Sequence, residues 1–126
     1  MKNLLLLFFV MYSAASIAGS RTGHHGDWLV KCHVPKFIQE KPAQDSSVQS
    51  FQEFEFVASD NTDTATLKVW VNNKPLIVKI DKRPSGYHRI FGKLPEPLLE
   101  GKAWIKVWSE SNDGCNDLRA WNVFIK

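Results

Sequence analysis

The sequence predicts an all-β fold, a β-sandwich of about seven short antiparallel strands. Apolar residues recur at every second position in most of the apolar segments, which is the period of a strand with one buried face. Clusters of Pro, Gly, Asn and Asp separate these segments at short intervals. No segment has a convincing helical period. About 108 residues remain after the N-terminal segment is set aside, which suits a single domain.

The first 18 residues have the three parts of a secretory signal peptide. Lys2 supplies the basic start, residues 4–12 form a short apolar run, and small residues lead to a cleavage position after Ala18. The apolar run is too short for a membrane span, which needs about 20 residues. We therefore expect a signal peptide over residues 1–18 and one domain over residues 19–126. The mature protein is expected to be secreted or periplasmic, without membrane insertion after cleavage.

The strands of the first half follow from apolar runs and alternation. The first predicted strand covers residues 28–34 and ends before Pro35. Residues 38–50 are rich in Gln, Ser and Lys, and we expect a loop there. The second and third strands cover residues 51–58 and 65–71. Their predicted inward residues are Phe54, Phe56 and Ala58 in the second strand, and Leu67, Val69 and Val71 in the third.

The second half repeats the same alternation. Asn72-Asn73 predicts a tight hairpin turn, because Asn tolerates positive φ. The alternation continues after the turn through Leu76, Val78 and Ile80. A short strand is expected over residues 87–91 and is one possible sheet edge. The last two strands cover residues 102–110 and 119–125; their predicted inward residues are Ala103, Ile105 and Val107, then Trp121, Val123 and Ile125.

Two segments resemble bacterial immunoglobulin-like modules. Residues 69–76 resemble a hairpin of these modules, and residues 98–107, running on to Asp113-Gly114, resemble the corner before their penultimate strand. Trp104 stands where such a corner commonly has a tyrosine. The resemblance implies an immunoglobulin-like β-sandwich and carries no information about activity.

The chain has two cysteines, Cys32 and Cys115. An even number of cysteines in an exported protein favours a disulfide. The pair lacks the close C-x-x-C spacing that is usual for metal or redox pairs. We predict a structural bridge that closes most of the domain into one loop, with a stabilisation of roughly 4 to 5 kcal/mol on the chain-entropy model.

A histidine-rich segment near the predicted N-terminus of the mature chain is a candidate metal site. His24 and His25 are adjacent, with Asp27 and His33 nearby. Imidazole and carboxylate groups suit zinc or copper, and some secreted sandwiches hold copper with an N-terminal histidine. Cleavage after Ala18 instead leaves these residues within a polar arm, which solvent alone would explain. A small periplasmic copper- or zinc-binding protein is therefore an alternative hypothesis, and no cofactor is assigned.

Catalytic motifs are missing from the sequence. It contains no recognisable Ser-His-Asp, Cys-His or H-E-x-x-H arrangement and no glycine-rich phosphate loop. Glu53 and Glu55 share one strand face, but two carboxylates on an exposed strand are usually a solvated surface. We expect a protein that is not an enzyme.

The tryptophans give the strongest functional indication. If Ile105 and Val107 face the core, then Trp104, Lys106 and Trp108 face outward, and Trp70 does so by the same argument. Exposed indoles between polar residues bind protein partners or stack on sugars. A register shift, or loops over the rings, would make them structural instead. The main hypothesis is a non-catalytic module that binds a protein or glycan partner, and a carbohydrate-binding module is an alternative.

A further alternative comes from Ser85-Gly86-Tyr87. It resembles the Ser-Gly loop with a nearby tyrosine of the periplasmic lysozyme inhibitors, which are similar in size and β architecture. The net charge is +3, and +2 once Lys2 is removed, which opposes binding to a basic enzyme. The basic residues are also too few and too scattered for a nucleic-acid partner.

Overall fold

A computed structural model describes residues 32–126, and all regular structure in that range is β. Nine strands are present in the described range. Their bounds are β1 Phe37–Lys41, β2 Ser47–Val48, β3 Phe51–Ala58, β4 Thr62–Val71, β5 Lys74–Leu76, β6 Lys79–Lys82, β7 His88–Leu98, β8 Gly101–Ser111 and β9 Asn116–Ile125. The predicted signal peptide over residues 1–18, with its cleavage after Ala18, lies outside the described residues.

The strands form two sheets that pack into a sandwich. The four-stranded sheet has the order β1-β3-β7-β6, and the five-stranded sheet has the order β2-β9-β8-β4-β5. All pairs are antiparallel except β2 with β9. The predicted all-β sandwich is therefore confirmed, with more strands than the sequence indicated. No helix within residues 32–126 is long and apolar enough to cross a membrane.

The core lies between the sheets and follows the predicted alternation. The inward residues of β3, β8 and β9 are buried as predicted, and so are Val69 and Val71 of β4, whereas Leu67 is half-buried against this core. The ring of Phe56 meets the edge of Trp121 with centroids 5.8 Å apart, so the two sheets interlock through these aromatic side chains.

The four-stranded sheet contains a glycine that the core requires. Gly92 lies opposite Phe54 in the β3–β7 pairing. A Cβ built on Gly92 would lie 2.2 Å from the Phe54 ring. The ring therefore fills the space that a side chain at position 92 would occupy, and only glycine fits there without repacking.

The beginning of the domain differs from the prediction. Residues 32–36 are not in a strand, and residues 28–31 of the predicted first strand lie outside the described residues. β1 lies within residues 38–50, the stretch predicted as a loop, except for Phe37. Phe37 is buried and contacts the ring of Phe56 edge-on at 6.0 Å. Polar composition concealed β1, because it is an edge strand in which Ile38, Gln39 and Lys41 are exposed and Glu40 is paired with Arg119 of β9.

The segment after the Asn72-Asn73 turn also differs. The turn itself is confirmed, since the two residues have φ of 49° and 67° and join β4 to β5. The chain then leaves the five-stranded sheet after Leu76 and enters the four-stranded sheet as β6. The alternation through Ile80 therefore covers two strands in different sheets.

The strand around Tyr87 is not an edge. β7 extends to Leu98 and lies between β3 and β6, so both of its sides are hydrogen-bonded. The edges of this sheet in the described range are β1 and β6.

Candidate metal site and aromatic face

The predicted disulfide is present and organises one end of the sandwich. Cys32 and Cys115 are bonded, with Cα atoms 5.8 Å apart, which is an ordinary separation for a bridge. Cys32 precedes β1 of the four-stranded sheet, and Cys115 lies in the turn between β8 and β9 of the five-stranded sheet. The bridge therefore ties the leading segment of one sheet to a turn of the other.

His33 follows the bridge directly and meets Asp113 of the same turn. The backbone N–H of His33 donates a hydrogen bond to Oδ2 of Asp113 at 3.2 Å. The ring Nδ1 of His33 lies 3.5 Å from the same oxygen, and the His33 side chain is 88% exposed. An imidazole and a carboxylate are thus held side by side at an accessible surface.

Asn61 holds the backbone at this position. Its amide nitrogen donates to the carbonyl oxygens of His33 at 3.2 Å and Val34 at 3.3 Å. Ser59 accepts a hydrogen bond from the backbone N–H of Lys36 at 2.9 Å and contacts the Asn61 side chain. These bonds fix the segment that carries His33, while its ring stays accessible.

A polar cavity of about 380 Å³ opens at this end of the domain. Its lining residues are His33, Val34, Lys36, Ser59, Asp60, Asn61, Tyr87 and Asp113. Within residues 32–126, no three His, Cys, Asp or Glu side chains group closely enough to hold a metal ion. Of the predicted metal candidates, His33 is therefore paired with one carboxylate, and His24 and His25 lie outside the described residues.

The predicted binding residues come together on the outer face of the five-stranded sheet. We call Lys68, Trp70, Trp104, Lys106 and Trp108 the Trp–Lys face. In the β4–β8 register Trp70 lies opposite Lys106, and Lys68 lies opposite Trp108. All three indoles point away from the core and remain partly exposed.

Each indole on this face has a lysine ammonium group above it. Nζ of Lys106 lies 4.7 Å from the ring centroid of Trp70 and 5.4 Å from that of Trp104. Nζ of Lys68 lies 5.5 Å from the ring centroid of Trp108. These are cation–π distances, so the lysines and rings hold each other in position.

Exposed apolar residues of β9 widen the Trp–Lys face. Leu118 is opposite Trp108 and Phe124 lies further along the same strand, and both are exposed. The β8–β9 pairing runs through ten residue pairs without a register shift. The platform beneath the indoles is therefore regular.

The loop that resembles the lysozyme inhibitors is a tight turn between β6 and β7. The N–H of Arg83 donates to the carbonyl of Tyr87 at 2.8 Å, and the N–H of Gly86 donates to the carbonyl of Arg83 at 2.9 Å. Gly86 has a φ of +92°, which is favourable for glycine. Turn geometry alone accounts for the Ser85-Gly86 pair.

The two glutamates considered for acid–base chemistry are paired with basic residues. Glu55 lies 3.4 Å from Nε of Arg89, and Glu53 lies 3.9 Å from Nζ of Lys93. These are interactions across the β3–β7 pair on the outer face of the four-stranded sheet.

Sequence reasoning missed Asp113 and Asn61 as partners of His33. Asp113 is 80 positions from His33, and Asn61 is 28 positions away. The stretch Asn112-Asp113-Gly114 was interpretable as turn chemistry alone. The disulfide was the one signal that could have placed this turn beside His33, because Cys115 lies two residues after Asp113.

Comparison with known proteins identifies the fold. No family model and no curated protein sequence matches the chain. Among solved structures, it is similar to CopC from Methylosinus trichosporium OB3b, with a TM-score of 0.57, 14% identity and coverage of 73% of this chain and 93% of CopC. It is also similar to PcoC from Escherichia coli, described as a methionine-rich copper resistance protein. That match has a TM-score of 0.56, 17% identity and coverage of 75% of this chain and 100% of PcoC.

These similarities cover about three quarters of this chain and nearly the whole of CopC and PcoC. At such low identity they show the fold alone, and they agree with the predicted β-sandwich. The predicted resemblance to immunoglobulin-like modules is supported at this coarse level.

Proposed function

We propose that this chain is a small exported, non-catalytic metal-binding protein that holds a copper(II) ion, with zinc as the competing ion. The observation that carries the proposal is the pair formed by His33 and Asp113, an imidazole Nδ1 3.5 Å from a carboxylate oxygen. Both groups are common ligands of these metals. The pair is supported by the disulfide and by Asn61, so its position does not depend on a free chain end.

The donor atoms that the chain offers determine which oxidation state of copper we propose. PcoC is described as methionine rich, whereas this chain has two methionines, Met1 and Met11, both within the predicted signal peptide. Thioether sulfur, which suits copper(I), is therefore scarce here, and nitrogen and oxygen donors suit copper(II). Cu²⁺ also binds such sites more tightly than Zn²⁺ does.

The pair needs further ligands. His24 and His25 are the candidates that the sequence supplies, and water completes many sites with few protein ligands. In this proposal Asp113 either binds the ion directly or orients the His33 ring, as carboxylates beside metal-binding histidines commonly do.

Titration of the metal-free mature protein with Cu²⁺ tests the proposal. Mass spectrometry fixes the N-terminus and the stoichiometry, and calorimetry gives the affinity. We expect one Cu²⁺ per chain. His33→Ala should weaken binding at least about tenfold, because it removes the imidazole ligand and leaves Asp113 without the ring beside it. His24→Ala and His25→Ala, made singly, report whether those residues contribute.

The fourth histidine provides the matched control. His88 lies at the start of β7 and is not part of the His33–Asp113 pair, so His88→Gln should leave the affinity unchanged. A stoichiometry near zero, or an affinity that His33→Ala does not alter, contradicts the proposal.

The Trp–Lys face favours a second candidate function, the binding of a protein or glycan partner. Three indoles on the outer face of a regular sheet are unusual for a surface that meets only water. This function and metal binding use different residues of the domain, so they do not exclude one another.

A further inference from the structure

We infer that the Trp–Lys face binds an acidic polysaccharide, with lysine ammonium groups on its carboxylates or sulfates and indoles against its sugar rings. The inference rests on the second candidate function and names its ligand class. It is independent of the proposed metal site.

The charge on this face has no internal partner. Lys68, Lys102 and Lys106 all point outward from the five-stranded sheet, and within residues 32–126 none has a carboxylate oxygen within ion-pair distance. Glu110 is the acidic residue of β8 on the same face, at its far end. The face therefore carries an uncompensated positive charge that an anionic ligand would neutralise.

The outer face of the other sheet differs, because two of its basic residues are paired with carboxylates. On the outer face of the four-stranded sheet, Arg89 and Lys93 contact Glu55 and Glu53. Among residues 32–126, Lys41 and Lys79 of that sheet also lack an ion-pair partner, so the distinguishing feature of the Trp–Lys face is that its unpaired Lys68 and Lys106 lie over indoles.

The arrangement of rings and cations favours a glycan over a protein. Lys106 lies at the centre of the face, between Trp104 and Trp108 on its own strand and opposite Trp70. Lysine is depleted at the centres of protein interfaces, where aromatic and apolar groups dominate. An acidic sugar matches both features, because each unit offers an anionic group and a ring face that can lie on an indole.

The spacing suits an extended chain. Trp104 and Trp108 are four residues apart on one strand, which places their Cα atoms about 13 Å apart. Trp70 lies on the neighbouring strand, diagonal to both. The three rings therefore form a zigzag over several sugar units, on the part of the sheet where the β8–β9 register is unbroken.

The lysines are already ordered. Nζ of Lys106 lies 4.7 Å from the Trp70 ring centroid and 5.4 Å from that of Trp104. An ammonium group held in this way loses less side-chain entropy when it binds an anion than a free surface lysine would.

The experiment uses two matched pairs of polymers with the mature protein in EDTA. The first pair is polygalacturonate and its methyl ester, and the second is dextran sulfate and dextran. Each pair has the same sugar backbone with and without charge. We expect binding to the acidic member of at least one pair, at least about tenfold tighter than to its neutral member. The pair that binds identifies the anionic group as carboxylate or sulfate.

Four variants locate the site. Lys106→Gln should weaken binding about tenfold through loss of a charged contact, and Trp104→Ala at least as much. Lys106→Arg keeps the charge over the rings and should retain most of the binding. Lys93→Gln removes a lysine from the opposite sheet as the matched control and should have no effect. Thermal unfolding confirms that each variant is folded.

The unfavourable outcomes are distinct. Equal binding to charged and neutral polymers overturns the acidic preference but leaves glycan binding intact. Binding that Lys93→Gln weakens as much as Lys106→Gln reflects diffuse charge and overturns the site. No binding to any polymer overturns the inference, and so does Trp104-dependent binding to phosphatidylglycerol vesicles in its place. Because EDTA is present throughout, none of these results bears on the metal proposal.

Discussion

The two sheets of the sandwich differ in where their surface groups find partners. On the four-stranded sheet, Arg89 and Lys93 lie against Glu55 and Glu53 on the outside, and Phe54 fills the space above Gly92 on the inside. On the outer face of the five-stranded sheet, Lys68 and Lys106 lie over indoles, and neither has an ion-pair partner among residues 32–126.

This difference indicates which surface has charge that is free to bind a ligand. An exposed ion pair contributes little to stability, but it neutralises both charges and leaves little for a ligand. A lysine on an indole keeps its full charge, since a ring carries a quadrupole and no counter-charge. The Trp–Lys face therefore combines unneutralised charge with three partly exposed indoles.

The largest expected effect measures how much the disulfide bridge stabilises the domain. Replacing both cysteines with serine should lower the free energy of unfolding by about 4 kcal/mol, because the bridge closes a long loop in the unfolded chain. The two cysteines are 83 positions apart. Chemical denaturation of the variant and of the oxidised wild type measures the difference. A loss below about 1 kcal/mol would contradict the loop-closure account of the bridge.

The second effect tests the close packing of the Phe54 ring on Gly92 in the four-stranded sheet. Gly92→Ala should cost about 2 to 3 kcal/mol, because the new methyl group overlaps the Phe54 ring and the core must repack. Thermal or chemical denaturation measures it. Ala120→Ser on the outer face of the five-stranded sheet is the control and should change stability by less than about 0.5 kcal/mol. If Gly92→Ala is as mild as the control, the close approach of Phe54 is not required.

The smallest effects compare the two outer faces directly. A double-mutant cycle on Arg89 and Glu55 should give a coupling below about 1 kcal/mol, as exposed ion pairs do. A cycle on Lys106 and Trp70 should give about 0.5 to 1 kcal/mol. Added salt should reduce the first coupling more than the second. A Lys106–Trp70 coupling well above this range would make the contact primarily structural and weaken the case for a ligand.

Much of the fold could be predicted from local sequence. The alternation in β3, β8 and β9 identified the core residues because a strand with one buried face must place apolar side chains at every second position. Asn72 and Asn73 identified the hairpin turn, since few other residues adopt positive φ in succession. The outward direction of Trp104 and Trp108 followed from the same alternation.

The predictions were wrong where alternation carries no information about which strands pair. β1 contains polar residues because it is an edge strand that buries mainly Phe37, so its composition is that of a loop. The break after Leu76 was not visible in the sequence, because the alternation of inward and outward side chains can continue when the chain passes from one sheet to the other. Tyr87 was predicted to lie at a sheet edge because the sequence does not show that β6 pairs with β7.

The sequence by itself determined the all-β class, the core positions, the pairing of the two cysteines and the tryptophans that face outward. These depend on residue type and short-range spacing, and a period of two is visible in a single strand. Only the tertiary structure decided that His33 lies against Asp113 and that Lys106 lies over two indoles. It also decided that Arg89 and Lys93 of the four-stranded sheet lie against carboxylates, whereas Lys68 and Lys106 of the five-stranded sheet lie over indoles. Those contacts join positions up to 80 residues apart, and strand order and register, which no local pattern encodes, determine which side chains meet.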